Sequence, residues 1–143
     1  MILSLNAMIV DAKVKVELKE ECDYSAISAG TSNLIDELNS NAQYLDFIAK
    51  SDYHAVKLVI DKTNTEYFVY DTTDGKVKQV DSAKEDFTIK VTCRQINNIV
   101  QAYDTHSSRF NRMILNRVPM KTKSAMFTQC FGTDWCKNKI LGK

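Results

Sequence analysis

The sequence predicts an α+β domain. Strand-type alternation and turn signals concentrate between residues 53 and 92, and helical spacing lies on both sides of that stretch. Segregated runs of helix, strand and helix point to α+β rather than to the regular alternation of an α/β sheet. The 143 residues, 44% hydrophobic and 26% charged, have the size and composition of one globular domain.

The start, Met1–Val10, is apolar, lacks a basic n-region and meets Asp11 at once, so it reads as a buried strand or arm rather than a secretory signal. From Asp11 to Lys19, Val14, Val16 and Leu18 alternate with Lys13, Lys15, Glu17 and Lys19, the pattern of a half-exposed strand. Residues 22–33 are small and polar, include Gly30, and read as a connection. Thr31 or Ser32 can cap a short helix at 33–38, and Asn41 can cap a second at 42–49. Val56, Leu58 and Ile60 then share one face of a strand. Asp61–Asn64 is turn chemistry, and residues 65–70 are aromatic and β-branched. Asp74-Gly75 marks a hairpin returning through 76–80, because those two residues tolerate the positive φ of tight turns. Phe87, Ile89 and Val91 define a further strand.

In the last third, Ile96, Ile99, Val100 and Tyr103 follow the i, i+3, i+4, i+7 spacing of an amphipathic helix, and Phe110, Met113 and Ile114 repeat it. Residues 117–122 read as a short edge strand, since Pro119 has no N–H for a central ladder. Met126, Phe127, Cys130 and Phe131 form a final helical face, and Trp135, Ile140 and Leu141 suggest a docked tail.

Composition excludes several function classes. The chain is neither disordered nor collagenous, and it is long enough to fold without metal or disulfide. With four glycines it has little material for a glycine-rich phosphate cradle, and Lys121–Ser124 lacks the glycines of a phosphate loop. Cys22, Cys93, Cys130 and Cys136 contain no C-x-x-C pair and have no nearby His, so no zinc site is expected. They read as free buried thiols in a reducing cytosol, with a Cys130–Cys136 disulfide left open. His54 and His106 stand at no recognisable nucleophile spacing, and Asp71 with Asp74 reads as hairpin chemistry. No catalytic residue, metal or cofactor is therefore expected. The net charge of +1 hides a gradient: residues 93–143 carry nine basic residues against Asp104 and Asp134.

Tyr53–Asp61, the aromatic strand at Tyr67 and Phe68, the hairpin Asp74-Gly75-Lys76-Val77 and Asp86–Thr92 with its following helix resemble the sterol carrier protein 2-like family of lipid-binding domains. The resemblance spans about residues 31–131. Met113–Lys123 sits where that family usually has Gly-Lys-Leu-x-x-x-Gly. Asn116 and Thr122 stand in place of its two glycines, and Pro119 is a further departure. The resemblance implies a five-stranded mixed sheet with helices on one face and an apolar tunnel between them. Residues 1–22 are then a strand extension to a domain over 23–143.

On this reading Ile96, Ile99, Val100, Phe110, Met113, Ile114, Met120, Met126, Phe127 and Phe131 line the tunnel, against the plainer reading of each as ordinary core. Arg112, Arg117, Lys121 and Lys123 form a basic rim suited to an acidic headgroup or an anionic membrane surface, against the plainer reading of a solvated face balancing the acidic half. The expectation is a cytoplasmic, non-catalytic binder of a fatty acid, acyl chain or sterol-like lipid. The alternatives are an interaction module with a filled core, dimerising through the N-terminal strand, or a weak nucleic-acid binder. Nucleic acid is disfavoured by the near-neutral balance and the lack of a motif.

Overall fold

The structure is a computed structural model and describes residues 21–141. The expected strand over 11–19, the apolar start and any dimer through them lie outside the described residues.

The first helix, α1 (Tyr24–Asn39), runs through the stretch that reads as a connection. Its cap is Asp23, whose carboxylate accepts from the Ala26 N–H at 3.0 Å, rather than Thr31 or Ser32. The small residues here serve close packing: a Cβ on Gly30 would lie 3.2 Å from Val100 Cγ1. Asn41 caps α2 (Ala42–Lys50) as its position predicts, accepting from Gln43 and Tyr44 N–H.

Four strands follow: β1 (Ala55–Ile60), β2 (Asn64–Asp71), β3 (Lys76–Val80) and β4 (Phe87–Val91). They form a mixed sheet in the order β3-β2-β1-β4, antiparallel except for the β1–β4 pair. The β1–β2 turn places Asp61 and Lys62 at positive φ, and Gly75 adopts φ 70 at the β2–β3 hairpin. Asp86 fastens the start of β1, its carboxylate accepting from His54 N–H at 2.7 Å and Ala55 N–H at 2.9 Å. At the outer edge of β3, the Asn39 side chain donates to Val77 C=O and accepts from Val77 N–H, at 2.9 and 2.8 Å.

Register puts Val56, Phe68 and Phe87 in one row and Leu58 and Ile89 in the next, so the period-2 residues share an inner face. Lys57, Tyr67, Thr88 and Lys90 occupy the other face. Helix α3 (Cys93–Asp104) begins with a capping box in which Thr92 and Gln95 exchange side-chain and backbone bonds. Helix α4 (Phe110–Leu115) packs against it.

The expected edge strand at 117–122 is instead the entry to α5 (Met120–Phe131). Pro119 has φ −55 and ψ 144 and occupies the helix-cap position. Proline's fixed φ and missing N–H suit a helix start as well as a sheet edge, which is why residue type alone misplaces it. The sheet among the described residues therefore has four strands where the sequence predicts five. Helix α6 (Asp134–Ile140) completes the described elements, and its Trp135 meets Tyr44 edge-on with ring centroids 5.2 Å apart.

The core gathers Ile27, Ile60, Val91, Cys93, Ile96, Ile99 and Val100, joining α1, β1, β4 and α3. All four cysteines are paired, as Cys22–Cys93 and Cys130–Cys136. This corrects the expectation of free thiols and removes the ground on which a reducing compartment was expected. Only the short-range pair was visible as an option in the sequence. No helix among the described residues is long and apolar enough to cross a membrane.

Candidate ligand-binding cavity

Between the inner face of the sheet and the helices lies a cavity of about 470 Å³, partly open to solvent. This falls within the roughly 300–1,000 Å³ of small-molecule sites. The sheet supplies a floor of Val56, Leu58, Phe68, Phe87, Ile89 and Val91. Helix α1 supplies Leu34, Ile35 and Leu38 from one side. Helix α3 and α4 supply Ile96, Ile99, Val100, Phe110, Ile114 and Leu115 from the other, with Val118 and Met126 beyond. These side chains form a continuous apolar wall from two layers that approach without filling the space between them.

The polar groups at the wall are few. Tyr103 lines the cavity, and its hydroxyl donates to Glu37 Oε2 at 2.5 Å, tying α3 to α1. That hydrogen bond, with burial and nearby acids adding to it, pushes the phenol up to about 12, so it stays protonated at neutral pH. His54 also lines the wall, but its ring nitrogen Nε2 faces the Ile48 and Ala49 carbonyls at 3.1 and 3.3 Å. These contacts place the ring at the end of α2. Arg117 is exposed and still lines the cavity, so it marks the rim; among the described residues it is the one lining side chain with a permanent charge.

Of the ten residues read as tunnel-lining, the structure brings Ile96, Ile99, Val100, Phe110, Ile114 and Met126 to the cavity. Met113 packs against the core cluster instead. Met120 is 70% exposed, because it opens α5 on the outside of the Pro119 corner. Phe131 is half-exposed and stacked on Phe127, both away from the cavity wall. Of the four rim candidates, Arg117 lies at the cavity; Arg112, Lys121 and Lys123 do not line it. Sequence reasoning missed the sheet half of the wall. Its signal was present in the alternation at 56–60 and 87–91, which identified an inner face but not that the face is left uncovered.

Comparison of the chain with family models, curated proteins and solved structures finds no match.

Charge at the site follows the same logic. The ion pairs among the described residues join Lys50 to Asp46, and Lys78 to Asp71 and Asp74. None of them reaches the basic residues of α4–α6. Lys139 bonds the Tyr44 hydroxyl and lies over the Tyr44 and Trp135 rings, 4.5 and 5.4 Å from their centroids. Direct pairing with the acidic half is thus not what these cations do among the described residues. One carboxyl on the inner face stands out. Glu66 lies opposite Leu58, and its Oε2 is buried without a hydrogen-bond partner among the described residues. Burial holds its pKa above the ordinary glutamate value.

Proposed function

We propose that this chain is a non-catalytic carrier of a hydrophobic molecule, best suited to a single acyl chain with an anionic end. The carrying observation is the apolar cavity between sheet and helices. Burying a chain there contributes ~0.8 kcal/mol per methylene, so affinity rises with chain length until the cavity is full. Arg117 at the rim supplies a fixed positive charge and a forked donor set that matches a carboxylate or phosphate. An apolar cavity between a sheet and helices is what the sterol carrier protein 2-like reading calls for and supports that kinship as a proposal, although the sheet has four strands among the described residues rather than five. Exposed Phe131 and Leu141, on a lysine-bearing C-terminal segment, suit contact with an anionic membrane where cargo would be exchanged.

Displacement of a fluorescent fatty acid, followed across unlabelled chain lengths, tests the reading. Ile89→Phe is the informative variant, because Ile89 lies on the cavity floor. In a filled core that added bulk costs ~1–3 kcal/mol. With the space present, the melting temperature stays level or rises while fatty-acid affinity falls at least about tenfold, a difference of ~1.4 kcal/mol. A destabilised variant, or a wild type that binds no chain length, sinks the proposal.

A further inference from the structure

Where the β1–β2 turn meets the start of α3, three metal-binding side chains converge. Cys22 Sγ, Cys93 Sγ and an Asp61 carboxylate oxygen all lie within 4.8 Å of one another. Asp61 Oδ2 is 3.2 Å from Cys93 Sγ. We propose that this corner is a redox-gated site for a thiophilic divalent cation such as Zn²⁺: closed as a disulfide when oxidised, and a Cys₂Asp cation site when reduced.

Each donor is placed by a separate element. Cys22 directly precedes the Asp23 cap of α1. Cys93 is the first residue of α3, a 12-residue helix. Asp61 sits in the β1–β2 turn at φ 55, and its N–H donates to Val91 C=O at 2.9 Å, so the turn is bonded to the end of β4 beside Cys93. The carboxylate is exposed and takes part in no ion pair among the described residues, while Cys93 is buried and Cys22 half-buried. That grading gives an entry path from solvent to the two sulfurs.

The electrostatics explain why a cation belongs there. An external dithiol breaks the Cys22–Cys93 bond, passes two electrons and two protons to the sulfurs and itself becomes a disulfide. A divalent ion displaces the two protons and is held by the two sulfurs and the Asp61 carboxylate. Two thiolates and one carboxylate supply three ligands of a tetrahedron, and water takes the fourth position.

The full chain with Cys130→Ser and Cys136→Ser isolates the site. Reduced with a phosphine in metal-free buffer, it is expected to take up one Zn²⁺ per chain by native mass spectrometry. Co²⁺ in its place is expected to give thiolate-to-metal charge-transfer absorption. The oxidised protein takes up none. Cys22→Ser removes the absorption, and Asp61→Asn weakens Zn²⁺ binding about tenfold or more. If reduction alone unfolds the chain, Zn²⁺ present beforehand is expected to preserve its circular dichroism. The proposal is overturned if the folded, reduced protein takes up no stoichiometric Zn²⁺, if uptake is unchanged by both substitutions, or if Zn²⁺ fails to protect a chain that reduction unfolds.

Discussion

The two disulfides differ in the length of chain they close, and that difference fixes a ranking of stabilities. Cys22–Cys93 spans a sequence separation of 71 residues, and Cys130–Cys136 one of 6. Restricting the unfolded chain by loops of these lengths is worth ~4 and ~2 kcal/mol respectively in the chain-entropy account. The loops do not overlap, so the effects add. Cys22→Ala with Cys93→Ala is therefore expected to lower unfolding free energy by about 4 kcal/mol, Cys130→Ala with Cys136→Ala by about 2, and all four by about their sum. Urea titration with linear extrapolation reads these differences, and the slope is expected to steepen as the unlinked chain exposes more surface. Cys22 also lies at the foot of α1, which carries the Leu34–Leu38 wall of the cavity. Hydrogen exchange at the first turn of α1 is therefore expected to quicken in the first variant and not in the second. An equal or reversed ranking would refute the loop-length reasoning.

The remaining predictions concern pH. Because burial holds the Glu66 carboxyl above the ordinary glutamate pKa, the native state binds its proton more tightly than the unfolded state. Stability is then greatest below the ordinary value and is lost as pH rises through the raised one. Glu66→Gln is expected to stabilise the protein at neutral pH by less than ~1 kcal/mol, since the side chain is part-exposed, and to give no gain in acid; thermal melts at both pH values check it. Asp71 is held at about 2, first by the Thr73 hydroxyl at 2.6 Å, then by the Thr73 N–H and Lys78. Thr73→Val is expected to raise its midpoint toward the ordinary range in a carbon-detected NMR titration. The wild-type contribution is present above the unfolded pKa and fades as pH falls through about 2.

What the sequence disclosed depended on whether local chemistry decided the outcome. The Asn41 cap, the Asp74-Gly75 hairpin and the inner face of Val56, Leu58, Ile60, Phe87, Ile89 and Val91 are fixed by side chains close to the backbone they organise. The start of α1 was not legible, because Ser25, Ser28 and Gly30 are poor helix formers and the helix is held by tertiary packing, with Ile27 in the core and Gly30 against Val100. Pro119 misled because the same ring serves a sheet edge and a helix entry. The cavity was half legible. Its helical side follows from spacing, whereas empty space between two apolar layers depends on how closely they approach. The Cys22–Cys93 pairing joins residues too distant in sequence for spacing to reveal.

Asn39 has a wider consequence. An outer strand ordinarily offers its unpaired N–H and C=O groups to any extended chain that arrives, and proteins blunt such edges with prolines, lysines or bulges. Here one amide side chain from the end of α1 occupies both groups of Val77 at once, as a one-residue mimic of a neighbouring strand. The β3 margin is thereby closed to templated growth at Val77. Among the described residues the other margin of the sheet is β4, where a recruited strand would meet ladder groups that no described strand pairs.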